Sequence, residues 1–273
     1  MNITHIASYE NNCWVNENVC TGANSTGHIS NPADILSLTG EERQSILGFG
    51  GCFNELGWEA LNLAKPEQKE AFLQELFEEK NCNFNYGRIP VGANDFSIKW
   101  YSCDEEEDDY ALEHFNIERD KKYTIPFVRE AMKYQKDFTL FASPWSPPTW
   151  MKTKQVYNYG RIRMEEKVLQ AYADYFVKFV QAYAKEGIDI SQIHVQNEPM
   201  ADQKFPSCLW YGEDMRDFIK DYLGPAFEKA GLDTELWLGT INGPFMDFMV
   251  PGSAPFCEHY DQFANTVLSD EKA

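Results

Sequence analysis

The chain has 273 residues, with 24 basic and 43 acidic side chains, a formal charge of −19, 43% hydrophobic and 15% aromatic residues. Such a composition supplies apolar surface for one sizeable core, while the charge repels phosphate backbones and anionic membranes, so nucleic acid is excluded as a partner. No run of about eighteen apolar residues occurs, which excludes an apolar membrane-spanning helix.

Residues 1–40 show little periodicity and read as an irregular N-terminal arm with one strand near Thr4 to Tyr9. Their start, Met1 to His5, lacks the basic and apolar stretches of a secretion signal, so a cytoplasmic location is expected. From residue 41 onward strand and helix patterns alternate. Ser45 to Gly51 has strand character and leads to a helix opened by Pro66, with Phe72, Leu73, Leu76 and Phe77 on one face. A second strand, Asn83 to Gly92, precedes a long acidic loop and a helix over Ile125 to Lys136. The third strand, Phe138 to Ser143, leads to a helix over Glu165 to Glu186 whose stripe is Tyr172, Phe176, Phe179, Val180 and Tyr183. Gly187 caps that helix, as Gly231 caps the next, Glu213 to Ala230. The caps release a fourth strand, Ile190 to Gln196, and a fifth, Glu235 to Gly239, and Ala254 to Leu268 suits a fifth helix.

Alternation with long loops on the downstream side of each strand favours an α/β fold, a (β/α)₈ barrel, over an open sheet. Eight units typically need about 250 residues, and five already reach residue 243. Residues 41–273 therefore read as the first five βα units, cut before a sixth strand. Seven cysteines, odd in number and without a C-x-x-C pair, predict reduced and mostly buried thiols. The five histidines show no metal-ligand spacing, His194 reads as a satisfied interior residue, and Asp104 to Asp109 as a solvated loop, so no metal or cofactor is expected.

Functional groups of such barrels gather where strands end. The fourth strand ends His194-Val195-Gln196-Asn197-Glu198-Pro199, placing an amide beside a carboxyl group at the mouth. A carboxylic acid there can protonate a departing glycosidic oxygen while the amide bonds a sugar hydroxyl, although the same tripeptide can be an ordinary loop start. After the third strand, Trp145 reads as a rigid platform for a sugar ring and Trp150 as a core residue. Arg88 can hold a carboxylate ionised and Asp95 can accept from sugar hydroxyls, or both can make structural ion pairs. Gly48 to Gly51 lacks the ending of a phosphate loop and reads as a site of close backbone approach. Trp210 and Tyr211 are placed on the leaving-group side.

In order along the chain, Gly48 to Glu55 (GFGGCFNE), Arg88 to Pro90 (RIP), Asp95 to Ser97 (DFS), Ala142 to Lys152 (ASPWSPPTWMK), Tyr175 to Phe179 (YFVKF) and Asn197 to Pro199 (NEP) resemble glycoside hydrolase family 30, the glucosylceramidase family. The likeness continues through Cys208-Leu209, Arg216 to Ile219 and Leu223 to Pro225. It implies a barrel with a side β-sandwich, to which the arm would contribute a strand, and cleavage of a β-linked glycoside with retention. By that likeness Glu198 is the acid/base, Asn197 its amide neighbour, Asp95 and Trp145 sugar-binding positions, and Arg88 an arginine beneath the carboxylates. The nucleophile would follow a seventh strand; Asp247, Glu258 and Asp261 come too early, so these residues alone are expected to lack turnover. The alternatives are a non-catalytic carbohydrate-binding protein on the same barrel, or an enzyme acting on β-1,6-glucan or β-xylosides.

Overall fold

A computed structural model describes residues 4–17, 39–241 and 260–273. Near the N-terminus, β1 (His5–Tyr9) pairs antiparallel with β2 (Asn12–Glu17), and the Tyr9 hydroxyl donates to Glu17 Oε1 at 2.7 Å. The first of these strands is the expected one; its partner, whose apolar residues Cys13, Trp14 and Val15 fall in one run, carries no alternating strand pattern of its own.

Beyond residue 46 the chain builds a parallel sheet in sequence order, β3 (Tyr86–Pro90), β4 (Thr139–Ser143), β5 (Gln192–His194) and β6 (Glu235–Trp237). Parallel neighbours need long crossovers. These are supplied by α3 (Thr124–Ala131), α4 (Glu166–Lys185), and α5 (Gly212–Phe218) with α6 (Gly224–Ala230), after α1 (Glu55–Leu63) and α2 (Pro66–Phe77) lead into β3. Residues alternate between the two sheet faces. Ile89, Leu140, Ala142 and Ile193 are buried in one continuous core with the α4 stripe Tyr172, Phe176, Phe179, Val180 and Tyr183. Tyr86, Arg88, Phe141 and His194 occupy the opposite face.

Several expected elements differ in detail. The first strand is reduced to a bridge at Cys52, although its backbone runs beside β3, with Arg88 N–H donating to Gly51 O at 3.0 Å and Phe53 N–H to Arg88 O at 2.9 Å. Glycine is required here, because a Cβ on Gly50 would lie 1.8 Å from the Tyr86 carbonyl oxygen. The helix α1 is not among the expected elements. Its signal is Asn54, whose Oδ1 accepts from Gly57 N–H at 2.8 Å as an N-cap, followed by Glu55 in the first turn. Phe72 is half-exposed while Leu73 and Phe77 are buried, so the α2 face is rotated from the expected one.

The expected helix 213–230 is interrupted by a π-helical segment, Ile219–Leu223, between α5 and α6. Pro225 explains it: proline has no N–H to give and its ring crowds the carbonyl four residues back, which the wider turn relieves. Gly187 and Gly231 are left-handed at φ 75° and 65°, as helix-terminating glycines should be. The last helix, α7 (Tyr260–Val267), buries Phe263 and Val267 and packs on α5. It covers the described part of the expected 254–268 helix. Asp261 is exposed in its first turn, while Asp247 and Glu258 lie outside the described residues.

Within the described residues the cysteines Cys13, Cys52, Cys82, Cys103 and Cys208 are free, and only Cys103 and Cys208 are buried, so the expectation of mostly buried thiols does not hold. The acidic run is likewise not uniformly solvated. Asp104 is 1% exposed, because the Trp150 indole donates to its carbonyl and packs over the loop.

Two buried carboxyl clusters hold the long β3–α3 connection. Glu55, 2% exposed, receives Arg119 at 2.6 and 2.9 Å and the Ile98 N–H at 2.7 Å. Asp120, 1% exposed, accepts the hydroxyls of Tyr101 at 2.6 Å and Tyr183 at 2.7 Å. Burial pushes the Asp120 carboxyl up to about 6, against the two hydroxyl donors, which pull it down. A native acid weaker than its unfolded counterpart stabilises the fold below about pH 4, and that contribution is lost as pH rises through 6. Asp120→Asn cannot ionise, so it is expected to be more favourable relative to wild type at pH 7.5 than at pH 5, by about 1.4 kcal/mol, the rest of the effect falling below pH 5. Urea denaturation of both proteins at the two pH values measures the difference, and an equal difference at both would show that Asp120 does not titrate there.

Candidate active site

The ends of β3, β4 and β5 meet at one guanidinium. Arg88, half-buried on β3, donates through Nε and Nη2 to Ser143 Oγ at 2.8 and 2.6 Å and through Nη2 to Asn197 Oδ1 at 2.7 Å. Its carbon centre lies 4.0 Å from the ring centroid of Trp145, so cation and indole are stacked. Register explains the convergence: Arg88 pairs with Phe141 across the parallel ladder, which puts Ser143, two residues on, on the same face and one step nearer the mouth.

Electrostatics ties the acidic residues to the same point. Burial lowers the Arg88 pKa, while the negative fields of the Asp95 and Glu198 carboxylates oppose that fall. Cys52 itself is a neutral thiol, pushed up to about 11 by burial despite the adjacent Arg88. Asp95 is exposed on the loop after β3, in a turn pinned by Asn94, whose Oδ1 accepts from Phe96 N–H at 2.9 Å and whose N–H donates to Ser97 Oγ at 3.0 Å.

Glu198 is half-buried and adopts φ 47°, a left-handed conformation that costs a residue with a Cβ about 1 kcal/mol or more. Both neighbours hold it there. Asn197 N–H donates to Pro144 O at 2.8 Å on the β4 side, and Glu198 N–H to Thr240 O at 2.9 Å on the β6 side. Gly239 allows that approach, since a Cβ on it would stand 2.8 Å from Gln196 O. Gln196, fully buried, donates its carboxamide to the carbonyls of Trp145 and Asn197 at 2.8 and 2.9 Å, so it cross-links the exits of β4 and β5.

Arg88, Trp145 and Asn197 are thus in contact, with Asp95 and Glu198 within electrostatic reach of the guanidinium, but two aromatic expectations change. Trp145 is only 6% exposed and one face carries Arg88, which leaves it little open surface as a platform. Trp210 is 1% exposed, stacked on Tyr172 and near Phe218, so it is a core residue and not on the leaving-group side; Tyr211 is half-buried with Arg161 over its ring at 3.9 Å. His194 is not satisfied as expected. Its ring lies between Phe141 and Trp237, Nδ1 is 3.3 Å from Thr240 Oγ1, and buried Nε2 has no hydrogen-bond partner among the described residues. Burial, reinforced by Arg88, pulls its pKa down to about 4, so the ring is neutral at neutral pH.

Sequence reasoning missed Ser143, Gln196, Gln203 and Thr240. Period-two alternation from Phe141 could have found Ser143; the others reach the site only through contacts between separate strand ends. With this geometry in view, residues 46–240 match the glycosyl hydrolase family 30 TIM-barrel domain, more than half of the chain.

The chain belongs to glycosyl hydrolase family 30.

Its sheet is accordingly part of a (β/α)₈ barrel, with the segment before β3 in the place of the first strand. Among relatives, putative glucosylceramidase 3 of Caenorhabditis elegans is 37% identical over 209 residues, 74% of this chain and 40% of that protein. Lysosomal acid glucosylceramidase of Mus musculus is 32% identical over 276 residues, 88% of this chain and 53% of that protein. A solved endo-β1,6-glucanase superposes with a TM-score of 0.67 at 34% identity, covering 73% of this chain and 45% of its own. The chain spans about half the length of the relatives it matches.

Proposed function

We propose that the protein carrying this chain is a retaining β-glycosidase, in which Glu198 is the general acid/base. The observation that carries the reading is the shared guanidinium: Arg88 bonds Asn197 at 2.7 Å while Asp95 and Glu198 lie within its field, so a carboxyl proton donor and an amide from the end of β5 converge with a second carboxylate from the end of β3. In this reading Glu198 protonates the leaving oxygen and then deprotonates water, Asn197 bonds the sugar 2-hydroxyl, and Asp95 accepts from other sugar hydroxyls. Arg88 supplies fixed positive charge beneath the carboxylates, and Trp145 supports it from below instead of stacking on sugar. The attacking carboxylate, about 5 Å from the acid, is expected after a seventh strand.

A β-glucosidic bond is the preferred substrate, because several of the most similar relatives are named glucosylceramidases. A second reading, cleavage of β-1,6-glucan, is favoured by the 34% identity to the solved endo-β1,6-glucanase. Incubating the full-length protein with glucosylceramide, an aryl β-glucoside and β-1,6-glucan is expected to release sugar whose first-formed anomer, followed by proton NMR, is β. First appearance of the α anomer would mean inversion, and no turnover of any β-glycoside would favour a carbohydrate-binding protein.

A further inference from the structure

The loops that leave β4 and β5 close over one another around a single buried cation. Lys152 is 0% exposed, and its Nζ donates to the carbonyl oxygens of Tyr157 at 2.8 Å and Ser207 at 2.6 Å. No carboxylate forms an ion pair with it among the described residues. An ammonium buried without a counter-ion is costly, and a neutral side chain of equal length would fill the same space without that cost. Burial accordingly pulls its pKa down to about 8.

What the cation holds is specific. Around it the two loops are zipped by Ser207 N–H to Tyr157 O at 3.0 Å, Leu209 N–H to Gly160 O at 2.9 Å, Tyr159 N–H to Ser207 Oγ at 3.0 Å and Gly160 N–H to Asp202 Oδ1 at 3.0 Å. The second loop starts at Glu198 itself, whose carbonyl accepts from Ala201 N–H at 2.9 Å, and it closes through Trp210 N–H to Pro199 O at 2.8 Å. Within it the Gln203 N–H donates to Ser207 Oγ at 3.1 Å, and the Gln203 carboxamide comes within 3.5 Å of Glu198 Oε2. A continuous path of contacts therefore runs from Lys152 through Ser207 and Gln203 to the acid/base.

We propose that Lys152 is a positioning residue for Glu198: by tying the 152–162 loop to the 199–209 loop, it keeps the Gln203 carboxamide beside the Glu198 carboxyl group. The proposal rests on the acid/base role given to Glu198 above. The Gln203 carboxamide orients the Glu198 carboxyl group, so losing the contact loosens the placement of its proton against the leaving oxygen. Proton donation matters most for a poor leaving group and little for one that departs as a stable anion.

The test uses the full-length protein as wild type, Lys152→Met, Gln203→Ala and the double variant, with an alkyl β-glucoside and 2,4-dinitrophenyl β-glucoside. Each single variant is expected to lose about tenfold or more in kcat/KM on the alkyl substrate and less than about threefold on the dinitrophenyl one, with the double variant no worse than the poorer single. Equal losses on both substrates, or losses that multiply in the double variant, would overturn it. If Lys152→Met does not fold, Gln203→Ala decides alone, and unchanged leaving-group dependence there overturns the proposal. Glu198→Gln run alongside separates the two ideas, because its failure to show leaving-group dependence condemns the assignment of Glu198 and not the clamp. Amide exchange then tests the clamp directly: Lys152→Met must speed exchange at Tyr159, Ser207 and Leu209 by at least about tenfold, and unchanged protection refutes it.

Discussion

Replacing Glu198 by Gln is expected to lower kcat of the full-length protein on an alkyl β-glucoside by about 10²–10⁴-fold, the usual contribution of a positioned proton donor. The substitution keeps size, the φ 47° backbone and its N–H bond to Thr240, so stability should change by less than about 0.5 kcal/mol. An amide can neither give nor take the proton, which separates a chemical loss from a structural one. Azide, a nucleophile that needs no general base, should restore turnover of activated substrates and yield a β-glycosyl azide. Steady-state kinetics with and without azide check both statements. Hydrolysis of the alkyl glucoside at the wild-type rate by the Glu198→Gln variant would remove Glu198 from the mechanism.

Arg88→Met should damage stability as well as activity. It strands Ser143 Oγ and Asn197 Oδ1, each worth roughly 1–3 kcal/mol when a buried partner is removed, and it leaves Asp95 and Glu198 without their shared positive field. Misplacing Asn197 and the two carboxylates together is expected to reduce kcat/KM by about 10²–10³-fold, as removal of one preorganised electrostatic contact typically does. Arg88→Lys should not rescue it. One ammonium cannot reach Ser143 and Asn197 at once while lying flat against Trp145, whereas the planar guanidinium does all three. Urea denaturation and kcat/KM of the two variants test this, and full activity in Arg88→Lys would show that charge alone suffices.

The two predictions concern different kinds of residue. Glu198 was legible because it ends a strand pattern in a barrel-like rhythm, beside an amide and before a proline. The importance of Arg88 could be suspected, but its partners could not be named, because Asn197 lies 109 residues away and Ser143 lies 55 away. Trp145 and Trp210 show the same limit from the other side. The sequence reads Trp145 as a sugar platform and Trp210 as a residue of the leaving-group side, yet both are buried, one under a guanidinium and one among aromatic rings of α4 and α5.

What the amino-acid sequence determined by itself is whatever depends on neighbours a few residues apart. Strand alternation, the apolar stripe of α4, the helix ends at Gly187 and Gly231, and the order of motifs that marks the family all belong there. Only the tertiary structure decided which side chains share a space: the Arg88 junction, the His194 nitrogen left without a hydrogen-bond partner among the described residues, and the Lys152 clamp. Local backbone preference is encoded within single turns and strands, whereas these contacts arise when separate strand ends are brought to one mouth, and no spacing along the chain records that meeting.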